Sequence, residues 1–253
     1  MRHLDLFSGI GGFALAASRV WVDHEVVSFC DIEPFAQKVL KKHWPGVPCH
    51  DDIKTMKGSD YANIDLLTGG FPCQPFSQAG QRRGSEDDRH LWPEMLRVIR
   101  EAKPRWVVGE NVRGLTDWNE GVVFEEVLSD LEAEGYRVQS FLIPACGVDA
   151  PHRRDRIWII ANRDKATTLM ADTSNLGRGW GDNKRLQLFT EEKATRDDNT
   201  RGGCRWNDLP TPYFCRSSDG IPNRVDRLKG LGNAIVPQVA EMIFKAIKAY
   251  NDN

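Results

Sequence analysis

The sequence predicts an α/β fold, a mostly parallel β-sheet with helices on both faces, carrying a small irregular insert. Three observations support this. Short apolar runs alternate with helix-period stripes as far as about Ala161, the pattern of strand–helix–strand units. The alternation then gives way, from Asn162 to about Asp226, to a stretch rich in Asp, Asn, Arg, Gly and Thr. A helical stripe returns over Ile235 to Tyr250, through Val236, Val239, Met242, Ile243, Ala246 and Ile247.

In chain order, Leu4 to Phe7 reads as a strand ended by the turn Ser8-Gly9-Ile10-Gly11-Gly12, and a helix follows over Phe13 to Val20. Glu25 to Cys30 is a second strand, stopped at Asp31. A helix from Pro34 carries apolar residues at Phe35, Val39 and Leu40. Ile64 to Thr68 is a strand closed by Gly69-Gly70. Leu91 to Arg100 is helical, and Pro104 introduces the strand Trp106 to Gly109. A helix over Val122 to Glu134 stops at Gly135, a glycine C-cap. Tyr136 to Ile143 and Arg156 to Ala161 are two further strands. The polar stretch reads as a separate small domain, a long insertion or partial disorder; a functional insertion is favoured, because structureless loops of that length are uncommon in compact domains.

At 253 residues the chain has room for one large domain and a small attached one. Its 40% hydrophobic and 28% charged residues exclude a disordered or collagenous chain. No apolar run approaches the roughly 20 residues that span a bilayer, and Met1-Arg2-His3 does not open a signal peptide. The expectation is a soluble, cytoplasmic monomer with no membrane contact. The formal charge of −2 conceals a split: residues 163–229 hold 13 Lys and Arg against 10 Asp and Glu, a balance of +3 that leaves −5 elsewhere. A basic late segment fits an anionic partner, or a solvated polar face. The six cysteines include no Cys-x-x-Cys pair, so no metal is expected, and free thiols are the default.

Four sites could carry chemistry. The glycine turn Gly9-Ile10-Gly11-Gly12 lets a ligand approach backbone at a helix N-terminus, or is simply a tight turn. Ala14 stands where a dinucleotide fingerprint has its last glycine, but Glu33 follows Gly12 by 21 residues, the spacing at which an acid reaches ribose hydroxyls. Cys73, in Gly70-Phe71-Pro72-Cys73-Gln74-Pro75, follows a strand end and sits in a proline-stiffened loop. That setting suits a nucleophile better than the more common buried thiol. Glu110 follows the fourth strand and would face the same crevice, where partial burial would raise its pKa and make it a proton donor. The alternative is a capping or surface carboxylate. Finally, His152-Arg153-Arg154-Asp155-Arg156 enters a strand with arginines that would orient a base edge or phosphate, or form a surface ion-pair ladder.

Together these segments resemble the cytosine-C5 DNA methyltransferases. Asp5-Leu6-Phe7-Ser8-Gly9-Ile10-Gly11-Gly12 is similar to the family's first motif, Asp31-Ile32-Glu33 to the second and Asp52-Ile53 to the third. Phe71-Pro72-Cys73-Gln74 resembles the catalytic motif and Glu110-Asn111-Val112 the ENV motif. Arg154 and Arg156 match the arginine pair of QxRxR, and Gly232-Asn233-Ala234-Ile235 the last motif.

The resemblance implies a seven-stranded, Rossmann-like, S-adenosylmethionine-dependent methyltransferase domain over residues 1–162 and 228–253, its C-terminal helix packing beside the first strand. Residues 163–227 would be a short target recognition region. It also implies a DNA (cytosine-5-)-methyltransferase of bacterial or phage type acting on double-stranded DNA, with Cys73 as nucleophile and Glu110 acting at N3. Arg154 would hold the base carbonyl and Arg156 would support the site. The cofactor would meet Phe7, Ser8, Gly9, Ile10, Gly11, Gly12, Asp31, Ile32, Glu33, Asp52, Ile53, Gly70, Pro72, Asn233 and Ala234. Phe7 would stack on adenine, Glu33 would hold the ribose and Asp52-Ile53 would meet the adenine edge. Ser77, Gln78, Arg82, Arg83 and Arg89 would contact DNA. Two departures stand out: His152 replaces the usual Gln, and an arginine-bearing motif runs almost directly into the last motif through Arg224 to Gly230. Neither the target sequence nor a cognate restriction endonuclease can be inferred. An RNA cytosine methyltransferase is the nearest rival, and the absence of a D/N/S-P-P-Y/F tetrapeptide argues against an amino-methyltransferase.

Overall fold

A computed structural model describes residues 1–72, 91–150, 152–163 and 224–252. Seven strands form one sheet: β1 (Arg2–Leu6), β2 (Glu25–Cys30), β3 (Cys49–His50), β4 (Leu66–Gly69), β5 (Trp106–Val112), β6 (Arg137–Pro144) and β7 (Asp155–Asn162). Their order is β3-β2-β1-β4-β5-β7-β6. The first five in that order run parallel; β7 is antiparallel to β5 and to β6. The strand order reverses between β1 and β4, and in sheets of this kind ligands bind outside the strand C-termini at such a point.

The helices are α1 (Gly12–Val20), α2 (Pro34–His43), α3 (Trp92–Ala102), α4 (Val122–Ala133), α5 (Arg224–Asn233) and α6 (Pro237–Asn251). On one sheet face, Leu4, Leu6, Leu67, Val107, Ile157 and Ile159 pack with Met95, Leu96 and Ile99 of α3 and Val127 and Leu131 of α4. On the other, Leu66, Trp106, Val108 and Trp158 meet Phe13 and Ala17 of α1 and the buried stripe of α6. The alternation of partners along β4 and β5 is the period-2 rule of a strand covered on both sides.

Several expectations need correction. The C-terminal helix packs on α1 and across the face of β4, β5 and β7, rather than beside the first strand. Its buried stripe is Val239, Ala240, Ile243, Phe244 and Ile247, whereas Met242 is exposed and Ala246 lies outside it. Phe244 sets the phase: it touches Trp21 at 5.4 Å and Phe13 at 6.4 Å between ring centroids. Burying an aromatic of that size contributes roughly 1.5–3 kcal/mol. Strand β5 runs on to Val112, through residues too polar to read as strand, and β3 is too short to show an apolar run. Arg224 to Gly230, read as a merged motif, lies in helix α5, which starts four residues before the domain boundary expected at 228. No helix of the described residues is long and apolar enough to cross a membrane.

Candidate active site

The C-terminal ends of β1, β2, β4 and β5 open onto a cleft of about 600 Å³. At the end of β1, Phe7 is held at φ 51°, a left-handed conformation costly for a bulky residue, and Gly9 follows at φ 53°. Asp31, at the end of β2, secures this turn. One of its carboxylate oxygens accepts the Gly9 N–H at 2.6 Å and the other the Glu33 N–H at 2.9 Å. Ser8 adds a hydroxyl bond to the Asp5 carbonyl at 2.6 Å. Gly11, at φ 85°, precedes the first residue of α1, and a side chain there would run into the Trp44 ring.

Of the fifteen residues expected at a cofactor, all but Gly11 line this cleft; Gly11 lines a neighbouring cavity with Trp44 and His152. Phe35, Phe71, Asn111 and Gly230 also line it; Phe71 and Asn111 belong to the catalytic and ENV motifs, in which only Cys73, Pro72 and Glu110 were given roles. Phe35 read as ordinary helix stripe, and Gly230 meets it because a Cβ there would lie 3.3 Å from the Phe35 ring. The lining combines apolar surfaces (Phe7, Ile53 and an Ile32 that is 70% exposed) with the carboxylates of Asp31, Glu33 and Asp52.

The reversed direction of β7 completes the site. Its first residues lie against the last residues of β5: Arg156 pairs with Val112 and Trp158 with Glu110. Arg156 and Glu110 are therefore diagonal neighbours on one face, within reach for long side chains. Arg156 Nε lies 2.9 Å from Glu110 Oε1, and Glu110 is only 8% exposed. Burial pushes the Glu110 carboxyl above the ordinary carboxylate range, and Arg156 and Arg154 pull it partway back.

Arg154 is placed differently. At φ 35° it turns its guanidinium to the carbonyls of Gly232 (2.8 Å) and Ala234 (2.7 Å), tying the last motif to the start of β7. Asn111 donates to the Phe71 carbonyl at 2.9 Å, and the Leu91 N–H meets the Pro72 carbonyl at 3.4 Å. The two ends of the segment containing Cys73 are thus joined beside Glu110. Cys73 itself lies outside the described residues, as do Ser77, Gln78, Arg82, Arg83 and Arg89. Cys30 also lines the cleft, but burial pushes its thiol up to about 12, so it is poorly suited to be a nucleophile. Among the described residues no three His, Cys, Asp or Glu side chains gather into a metal-binding group.

The profile of the family described as C-5 cytosine-specific DNA methylase matches residues 1–211. The chain belongs to this family. Similar members include the type II methyltransferase M1.ScrFI of Lactococcus lactis subsp. cremoris, 36% identical over 172 residues, 68% of this chain and 44% of the relative. M.BanI of Aneurinibacillus aneurinilyticus is 34% identical over 206 residues, 78% of this chain and 47% of the relative. The chain spans about half the length of the curated relatives it matches. Among solved structures, the S. pombe Dnmt2 methyltransferase superposes with a TM-score of 0.58 at 23% identity, covering 82% of this chain and 62% of that one. That likeness concerns the Rossmann-like fold alone.

Proposed function

We propose that this methylase-family chain is a DNA (cytosine-5-)-methyltransferase acting on a flipped cytosine in duplex DNA through a covalent adduct of Cys73. The pairing of buried Glu110 with half-buried Arg156, in the cleft that the glycine turn and the stem leading to Cys73 also line, is the observation that carries this reading. The cleft suits S-adenosylmethionine. Phe7, Ile32 and Ile53 offer apolar surface to a purine, Asp31 and Glu33 offer acceptors to ribose hydroxyls, and the acidic lining favours a sulfonium cation. When bound, that cofactor supplies an electrophilic methyl group.

The chain's own residues do the rest. Cytosine C5 is a weak nucleophile because its electrons belong to the aromatic ring. Attack of the Cys73 thiolate forms a sulfur–carbon bond at C6 and releases the C5–C6 electron pair for bonding at C5. Negative charge that builds at N3 is met by Glu110, whose carboxyl burial shifts toward the proton-donating form. Arg156 supports the site by orienting that carboxyl, and Arg154, which lines the same cleft, braces the Gly232–Ala234 wall. Loss of the C5 proton and departure of the Cys73 sulfur restore the aromatic ring. The target must leave the duplex to reach such a cleft. Residues 163–227 are the proposed target recognition region. Because α5 starts at Arg224 and Asp226 lines the cleft, the catalytic part resumes slightly earlier than 228.

The decisive experiment is trapping on duplex DNA containing 5-fluorocytosine, in which the missing C5 proton blocks release of the sulfur. A covalent adduct is expected, and Cys73→Ser should lose it; an adduct that survives the substitution refutes the nucleophile. Parallel labelling of duplex DNA and tRNA is expected to mark DNA, and label in tRNA alone overturns the substrate.

A further inference from the structure

Arg97 stands on α3, outside the cleft, and makes four bonds that the chemistry above does not use. Its guanidinium donates to the Ile53 carbonyl at 2.7 Å and the Met56 carbonyl at 2.8 Å. Glu94 (2.9 Å) and Glu101 (3.2 Å), one helical turn to either side, hold it in place. Glu101 then accepts the Gly58 N–H at 2.6 Å. The backbone of residues 53–58 is therefore fixed to one face of α3 at three points. The contact is close enough to require glycine at 58, since a Cβ there would lie 2.6 Å from the Val98 carbonyl oxygen.

What this segment presents is the side of the cleft opposite the catalytic pair. Asp52 and Ile53 both line the cleft, with Ile53 3% exposed and Met56 buried beneath. Asp52 is folded back in a turn, accepting the Lys54 N–H on its side chain and the Thr55 N–H on its carbonyl. The pairing of β3 with β2 anchors the near end of this turn to the sheet, and the carbonyl bonds to Arg97 anchor its far end to α3. The same helix begins at Trp92, which packs on Phe71 with ring centroids 5.1 Å apart and follows the Leu91–Pro72 bond at the stem. One helix thus fixes both the third-motif wall and the stem beside Glu110.

We infer that Arg97 is a positioning residue, holding the Asp52–Ile53 wall at the distance that a bound nucleoside requires. This rests on the reading of the cleft as the S-adenosylmethionine site. Arginine suits the task because its planar fork serves two carbonyls and two carboxylates at once, which a lysine ammonium cannot. A displaced wall costs affinity for the cofactor but leaves Glu110 and Arg156 untouched.

The test uses the full chain, with S-adenosylhomocysteine as a non-reactive probe in calorimetry and labelled S-adenosylmethionine in steady-state assays. Arg97→Gln is expected to weaken probe binding and raise the cofactor KM together, by about tenfold to a hundredfold. At saturating cofactor kcat should stay within about twofold, and Arg97→Lys should recover part of the loss. Gly58→Ala, which forces the segment off α3 without touching the arginine, should shift KM in the same direction and serves if Arg97→Gln does not fold. Wild-type KM in the folded variants, or a fall in kcat at unchanged KM, overturns the inference. A wild-type protein that fails to bind the probe refutes the functional reading instead.

Discussion

Asp5 and Glu110 are both carboxyls on parallel strands of one sheet, and both are withdrawn from water, yet their surroundings lead them to different ends. Glu110 has a guanidinium at 2.9 Å and a second arginine nearby, so its burial is countered. Asp5 has no cation. One of its oxygens accepts the Thr68 hydroxyl at 2.6 Å, and the other is buried without a hydrogen-bond partner. Burial, reinforced by nearby Asp31, pushes Asp5 up to about 8. Thr68 in turn accepts from His3 Nε2 at 2.7 Å, which leaves His3 Nδ1 to accept from His24 Nε2 at 3.0 Å. Burial alone makes a carboxyl neutral and structural; burial with a cation at its edge keeps one ready to give and take a proton.

The contrast can be broken most severely at Glu110. Glu110→Gln removes the proton donor and should lower kcat by about 10²–10⁴-fold, with cofactor affinity unchanged by calorimetry. Arg156→Gln should lower kcat less, by about tenfold to a hundredfold, and change its pH dependence. An acid works while protonated, so activity falls as pH rises through the Glu110 pKa. Without the guanidinium that pKa rises further, and the alkaline limb of the pH–rate profile should move up. A limb that stays in place or moves down would show that Arg156 does not act on Glu110.

Asp5 sharpens the other side, and here the expected signal is stability. Its folded pKa of about 8 stands above the ordinary 3.8, so the native state keeps a proton that the unfolded chain gives up. Its contribution is fully present below pH 3.8 and is lost up to about pH 8, at roughly 1.4 kcal/mol per pH unit. His3 and His24 act in the opposite sense. Burial lowers both, His24 to about 4, so their contribution is lost as pH falls below 6.5. Denaturant melts across pH should therefore place the stability maximum of this trio near 6.5. Asp5→Asn, which keeps an acceptor for Thr68, should flatten the alkaline limb and steepen the acid limb below 6.5; an unchanged alkaline limb would mean that Asp5 is not the titrating group.

Much of this arrangement was legible in the sequence where chemistry and hydrophobicity agree. The strand runs Leu4–Leu6 and Trp106–Val108 announce themselves by apolar residues, and the cleft residues by their place just after those runs. What was not legible depends on long-range packing. The polar end of β5, Glu110 to Val112, is strand only because β7 pairs with it. The pairing also decides that Arg156, rather than Arg154, reaches Glu110, which no spacing reveals. The phase of α6 turns on Phe244, chosen by the aromatic partners Trp21 and Phe13 more than two hundred residues away. Arg97 carries no mark in the sequence, because two of its four partners are backbone carbonyls some forty residues away.

The packing of α6 and the preceding turn against α1 also bears on biosynthesis. Gly12 has Ile235 where its own side chain would be, Phe13 touches Phe244, and Trp106 hydrogen-bonds Asn251. On a ribosome the glycine turn emerges before all but the first of the strands described here, and its covering helix comes after every other element described here. Until then the apolar face of α1 has no lid of its own, and the nascent chain must hold it open or shield it. Contacts of such sequence separation slow folding and prolong the exposure of sticky surface. The cofactor cleft, whose wall includes Asn233 and Ala234, becomes whole only after those residues have been made.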